Sequence, residues 1–389
     1  MKALSNLAQS VRASTTLAID TQFNKMRSEG IDVIGFSVGQ PDFPTPEHIK
    51  QAGIRAIQEN LTKYTPTPGT PAVRKAVADR LDADWGLDYT PEEIVVSGGG
   101  KPILYVALKT LIDPGDEVIL PAPYWVSYYE LIKMVGGVPV VVTTTEENGF
   151  NLTPEQLQAA ITPKTKALML NSPSNPTGMI YSREHLEDIA KVCLDNDLYV
   201  IADEMYSKLV FDNKEFVSFP TLSKEIKART ILVGGASKTY AMTGWRIGFV
   251  AAPAEIVDRM TKCQENFNAC ANAPGQYAAT VALDHPELCE ELRQVFERRR
   301  SILLDGLAKI DGIRCNRPNG AFYVFADISS FGLSSVEFCN RLLDEQKVVC
   351  IPGSAVGECG EGFIRIAYTC SDENLHEALR RIDAFCKSL

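Results

Sequence analysis

The stretch TKALMLNSPSNPTGMIYSREHLEDIAKVCLDNDLYVIAD, residues 165–203, decides the fold. It opens on one apolar run, TKALML, and closes on another, LYVIAD (198–203). Between them, REHLEDIAKVCLDN (183–196) spaces its apolar residues at helical intervals. Two continuously apolar strands joined through an amphipathic helix predict a parallel pair buried on both faces.

The alternation extends outward. Short apolar, β-rich runs recur at 94–96, 118–120, 138–142, 230–235 and 246–251, with helix patterns in KPILYVALKTLI (101–112) and PAEIVDRMTKCQENF (253–267). TPEHIKQAGIRAIQEN (45–60) predicts a helix with Thr45 as N-cap and Pro46 in its first turn. The expected class is α/β, a mainly parallel sheet sandwiched by helices. Past residue 286 a long charged helix pattern leads into FYVFADI, a helix around 334–346, FIRIAYT and a last helix, which fits a smaller α+β domain. No Gly/Ser-rich linker separates the two patterns.

Composition narrows the class. The chain has 389 residues and a formal net charge of −10, which argues against nucleic acid or an anionic membrane as the main partner. No run of about 18 apolar residues occurs, and MKALSNLAQSVRAST lacks the apolar core of a secretory signal, so a cytoplasmic protein is expected. The ten cysteines, from Cys193 onward, form no C-x-x-C pair and read as reduced thiols packed as small hydrophobes. SGGGKP (97–102) lacks the spacing of a phosphate loop, and no G-x-G-x-x-G follows the first strand. His48, His185, His285 and His376 sit beside charged residues or proline and read as solvated, which leaves no metal site.

What remains is polar chemistry just past successive strand ends, where an open parallel sheet binds ligands. NSPSNPTG follows residue 170, Asp203 and Glu204 with Tyr206 follow the 198–203 run, and Ser237 and Lys238 follow 230–235. Lys238 lies in GGASKTYAMTGWRIG, among small, apolar and aromatic neighbours that would desolvate its amine and make it reactive. An amine, an acid, an aromatic platform and anion-binding groups fit a Schiff-base cofactor better than hydrolysis.

GQPDFPTP, KYTPTPG, PAPYWVSY, NSPSNPTG, ADEMY, SKTYAMTGWRIG and FIRIAYT, in that order, resemble the fold-type I pyridoxal-phosphate aminotransferases of class I/II. Their prokaryote-type (class Ib) aspartate aminotransferase subgroup is the nearest likeness, from about Val11 to the C-terminus. The resemblance implies a seven-stranded sheet in a large domain over 45–285, with 1–44 and 286–389 building a small one. It implies pyridoxal 5′-phosphate held covalently by Lys238, which then moves the substrate's α-proton. Asp203 would pair with the pyridine nitrogen, Tyr206 and Asn175 with the phenolic oxygen, and Trp125 would stack on the ring. Gly99, Gly100 and Lys101 at a helix N-terminus, with Ser237 and Arg246, would hold the phosphate. Tyr64 would reach the phosphate of the neighbouring subunit, so a homodimer with shared sites is implied.

For the substrate, the likeness assigns Arg365, Asn175 and the Gly39 backbone to the α-carboxylate. Lys101, helped by Ser14 and Thr16, would meet a distal carboxylate; Lys101 could equally be a phosphate neighbour or a solvated residue. Gln40, where the family commonly has Glu, and ENFNACANAPGQYAA (265–279) depart from the subgroup and bear on distal-group preference. The expected reaction is a ping-pong exchange of L-aspartate and 2-oxoglutarate, with prephenate as a further acceptor and aromatic or broad-range transamination as the alternative. A non-catalytic ligand-sensing domain is the reading from another class, but GQPDF begins at residue 39 and leaves no room for a preceding DNA-binding module.

Overall fold

The computed structural model describes residues 2–389. Its strands, in chain order, are β1 (Ile34–Gly35), β2 (Ile94–Ser97), β3 (Glu117–Ala122), β4 (Val138–Thr143), β5 (Thr165–Asn171), β6 (Tyr199–Asp203), β7 (Thr230–Gly235), β8 (Gly248–Ala251), β9 (Arg314–Cys315), β10 (Tyr323–Asp327), β11 (Val348–Val349), β12 (Ile351–Pro352) and β13 (Phe363–Ala367). Seven of them form one sheet in the order β2-β8-β7-β6-β5-β3-β4. The β3/β4, β3/β5, β5/β6 and β6/β7 pairs are parallel, as the apolar runs predict.

Burial explains those runs. Along β5, Ala167 and Met169 pack on one face with Ile103 and Leu104 of the helix Gly100–Leu111. Leu168 and Leu170 pack on the other, with Leu186, Ile189 and Cys193 of the helix Arg183–Asp195. Both faces are dry, so alternation disappears from the sequence. β4, at the sheet edge, stays partly exposed.

One strand runs against the rest. β8 is antiparallel to both β2 and β7, and its first residue, Gly248, pairs with Ser97 on one side and Gly235 on the other. The reversal brings the segment entering β8 to the same edge as the C-terminal ends of β2, β5, β6 and β7. Residues preceding Gly248 and residues following Asn171, Asp203 and Gly235 therefore converge.

A second, four-stranded antiparallel sheet has the order β12-β13-β10-β9, and β1 pairs in parallel with β11 through Ile34↔Val348 and Gly35↔Val349. The helices Glu287–Leu307, Ser335–Gln346 and Asp372–Cys386 supply Phe296, Phe338 and Phe385 to the core beneath it. The N-terminal helix Thr15–Ser28 buries none of its residues.

Thr45 differs from expectation. The helix begins at Glu47 after Pro46, and the Thr45 hydroxyl instead donates to the Ala241 carbonyl and accepts from the Trp245 indole. With its hydroxyl engaged on both sides in this way, the threonine ties the helix entry to the loop after Lys238. His185 is also half-buried rather than solvated, with Nε2 at 2.7 Å from the Leu152 carbonyl.

Candidate functional site

A cavity of about 480 Å³ opens at the shared sheet edge, within the size range of small-ligand sites. Lys238 enters it from the helix Ala236–Thr239, immediately after β7. Its Nζ donates to the Gly39 carbonyl at 2.6 Å. Burial, together with the Arg246 and Arg365 charges, lowers the amine to about 8 against a smaller opposing pull from Asp203. A neutral, nucleophilic amine is thus accessible near physiological pH.

Asp203, the last residue of β6, is 4% exposed. It accepts from the Tyr128 hydroxyl at 2.6 Å and the Met205 N–H at 3.1 Å. Burial raises its carboxyl, with those donors opposing. Asn171, the last residue of β5, donates to the Asp203 carbonyl at 2.9 Å and accepts from the Asn175 N–H at 2.9 Å, so neighbouring strand ends are locked together.

Arg365 of β13 arrives from the four-stranded sheet, almost fully buried. Its Nη1 donates to Asn175 Oδ1 at 3.1 Å and its Nη2 to the Ser37 carbonyl at 2.5 Å, while its Nε has no partner. Arg246, in the left-handed region at φ 59°, donates Nη1 to the Thr243 carbonyl. Gly99 has φ +105°, and a Cβ there would stand 2.4 Å from Arg246 Nη2. The positive φ favours glycine at that position, and a side chain there would push the Arg246 guanidinium aside. The Lys101 ammonium sits 5.1 Å from the centre of the Trp125 ring, and partial burial and Arg246 lower it.

Lys101, Lys238, Arg246 and Arg365 line one cavity, and among the described residues none has a carboxylate within 4.0 Å. Asp203 is the single acid there. Such a cavity is prepared for an occupant bearing several negative charges. The donor set also fits pyridoxal phosphate. A buried carboxylate without a cationic partner suits a protonated ring nitrogen, the Arg246 guanidinium, with Nη1 on the Thr243 carbonyl and Nη2 beside Gly99, suits a phosphate, and Lys238 lines the same cavity.

Of the residues expected from sequence, Gly39, Gly100, Lys101, Trp125, Asn175, Asp203, Tyr206, Ser237, Lys238, Arg246, Arg365 and Thr16 all line this cavity. The Thr16 hydroxyl there is buried without a partner. Gly99 backs the cavity through Arg246. Ser14 lies in an adjoining groove that shares Lys101, and its hydroxyl caps the helix Thr15–Ser28. Tyr64 is 92% exposed, away from the chain's own cavity. Gln40 accepts from the Thr243 hydroxyl at 3.0 Å. No residue of 265–279 lines the cavity of its own chain, and Pro274 opens the helix Ala273–Asp284.

Sequence reading missed Tyr128, Tyr323, Asn171 and Thr243. Tyr128 follows Trp125 by three residues on a helical turn, a spacing that could have flagged it. Tyr323 stands in an apolar run, which reads as core.

The family described as Aminotransferase class I and II matches residues 31–382. An aspartate aminotransferase of Bacillus sp. (strain YM-2) is 44% identical over 390 residues, covering 99% of either chain. An aspartate/prephenate aminotransferase of Cereibacter sphaeroides is 42% identical over 403 residues, covering 100% of both. The solved structure of aspartate aminotransferase from Thermus thermophilus with maleate has a TM-score of 0.94 at 39% identity, covering 99% of this chain and 100% of that one.

Proposed function

The chain belongs to the aminotransferase class I and II family, pyridoxal-phosphate enzymes, and on that premise we propose that it exchanges the amino group of L-aspartate with 2-oxoglutarate, giving oxaloacetate and L-glutamate. Prephenate is a further acceptor in this reading, in keeping with the aspartate/prephenate relative. The observation that carries it is the set of four cations without carboxylate partners around one cavity. One phosphate and the two carboxylates of a dicarboxylic substrate match Arg246, Arg365 and Lys101, which leaves the Lys238 amine to react.

Bound pyridoxal phosphate supplies an electron sink for negative charge at the substrate's α-carbon. Arg365, with Asn175, grips the α-carboxylate by a two-pronged pair, and the Gly39 backbone closes over it. Lys101, with Thr16, meets the distal carboxylate; Ser14 acts from the neighbouring groove by capping the helix that carries Thr16. Lys238 Nζ, held near neutrality by burial and two arginines, takes up the α-proton. Asp203, steadied by Tyr128, keeps a proton on the ring nitrogen, and Tyr206 and Asn175 address the phenolic oxygen. Gly99, Gly100, Ser237 and Arg246 hold the phosphate, and Trp125 covers the ring. The two half-reactions use the same residues in turn, hence ping-pong kinetics.

The chain's division into a large domain over 45–285 and a small one built by 1–44 and 286–389 is supported by the pairing of Ile34 with Val348. A homodimer is supported by Tyr64, whose exposed ring would reach the neighbouring subunit's phosphate site. Ten free cysteines support a cytoplasmic setting.

The test is a panel of amino donors against 2-oxoglutarate. Aspartate should exceed alanine and phenylalanine in kcat/KM, and phenylalanine equal to aspartate would move the assignment to the aromatic or broad-range alternative.

A further inference from the structure

Two hydroxyls meet inside the cavity: Tyr206 Oη and Tyr323 Oη are 2.8 Å apart. Both side chains are buried, and their rings meet edge to face at 5.7 Å. The Arg365 guanidinium lies over the Tyr323 ring, 4.9 Å from its centre. Gly39 keeps the other side open, since a Cβ there would stand 2.1 Å from Tyr323 Oη. Tyr323 is thus held by Tyr206 and Arg365, in space that Gly39 leaves for its hydroxyl.

We propose that Tyr323 is a positioning residue for transamination, donating its hydroxyl proton to Tyr206 Oη so that Tyr206 directs its own proton at the phenolic oxygen of the bound cofactor. The inference rests on the role given to Tyr206 above. A hydroxyl has one proton. If Tyr206 donates to the cofactor, only its lone pairs remain for Tyr323, so Tyr323 is the donor of this pair. A hydroxyl that accepts a hydrogen bond is itself a better donor. The Arg365 cation over the ring favours electron withdrawal from the Tyr323 oxygen and strengthens its donation in the same sense. The chain from Arg365 through Tyr323 and Tyr206 therefore stabilises negative charge on the cofactor's oxygen, which eases loss of the proton shared with the lysine linkage.

The experiment follows the visible absorption of bound pyridoxal phosphate against pH, without substrate. Wild type, Tyr323→Phe, Tyr206→Phe and the double variant are compared. Tyr323→Phe keeps the ring under Arg365 and removes only the hydroxyl; the midpoint should rise by about half a pH unit. In the Tyr206→Phe background the same change should move it far less. Gly39→Ala displaces the hydroxyl without deleting it and should also raise the midpoint, so it carries the test if Tyr323→Phe does not fold. An unchanged midpoint overturns the proposal, and so does an equal shift in both Tyr206 backgrounds. A wild-type protein that shows no cofactor band would instead overturn the reading on which the inference rests.

Discussion

Lys238 and Gly39, 199 positions apart, are joined by a 2.6 Å hydrogen bond from the lysine Nζ to the glycine carbonyl. The amine that reacts in the proposed function is therefore held against the loop that carries Gly39. Its protonation sets how fast it can capture an aldehyde. With the amine lowered to about 8 by burial and the two arginines, cofactor uptake by the cofactor-free protein should rise about tenfold per pH unit below 8 and level off above it. Stopped-flow absorbance across pH 6–10 (about four units, spanning the ordinary lysine value) measures this. A rise continuing to pH 10 would show an ordinary, solvated lysine.

In the proposed reaction Arg365 and Lys101 take opposite ends of the substrate. Arg365→Lys loses the planar fork and should lower kcat/KM for every amino donor, by about 2–5 kcal/mol in the binding of the α-carboxylate. Lys101→Ala should do so for aspartate while leaving alanine nearly unchanged. Steady-state kinetics with both donors on both variants decides the matter. Equal losses for aspartate and alanine in Lys101→Ala would place Lys101 on the phosphate side alone.

Glu204 presents a different titration, on the side of β6 away from the cavity. It is buried, accepting from the Ser218 hydroxyl at 2.6 Å and the Phe219 N–H at 2.8 Å, and burial raises its carboxyl to about 8. Between pH 4.5 and 8 the folded chain keeps a proton that the unfolded chain releases. Its contribution to stability is complete below 4.5 and is lost as pH climbs through 8. Urea unfolding of Glu204→Gln should therefore depend less on pH over that window than wild type. Parallel curves would mean that Glu204 is ionised in the folded state.

What was legible in the sequence follows a physical line. Lys238 and Asp203 were readable because a parallel sheet places strand ends together and their neighbours are apolar, so a polar residue stands out; Asn175, among prolines and polar residues in NSPSNPTG, stood out only through the resemblance. Arg365 stood out only through the FIRIAYT resemblance. Tyr323 did not stand out, since an aromatic inside FYVFADI has the same local pattern whether it fills a core or lines a site. The reversal of β8 was likewise unreadable: GFVA is equally apolar in either direction, and only pairing with Ser97 and Gly235 orients it. Tyr64 and Ser14 needed information from outside the cavity altogether.

Arg299 anchors the loop that carries Gly39. Its Nη1 and Nη2 donate to the two Asp42 oxygens at 2.6 and 3.0 Å, and its guanidinium lies 4.7 Å from the centre of the Phe43 ring. A third contact runs from Nε to Asp372 at 3.3 Å. Arg299→Met should destabilise the protein by about 2 kcal/mol, less than a fully buried pair because Asp42 remains partly in water. It should also raise KM, through the loosened Gly39–Phe43 loop. Arg299→Lys, without the fork, should recover only part of both. Wild-type KM in Arg299→Met would show that the loop holds without this anchor.

Gly99 offers the sharpest single substitution. At φ +105° an alanine is strained, and its methyl would fall 2.4 Å from Arg246 Nη2. The neighbouring strand gives no room for the loop to retreat, because a Cβ on Gly248 would already lie 2.6 Å from the Gly99 carbonyl carbon. Arg246 must then swing away from the Gly99–Gly100 amides. Gly99→Ala should weaken cofactor binding by about tenfold or more, the loss of one charge-assisted contact, while Lys238, whose amine is lowered first by burial and only then by Arg246, stays buried and reactive. Equilibrium dialysis against pyridoxal phosphate, set beside pyridoxal lacking the phosphate, isolates the effect. The variant should lose affinity for the phosphorylated form and change little for the other. An equal loss for both would mean that the substitution disturbs the lysine or the ring site, and that Gly99 has no particular part in holding the phosphate.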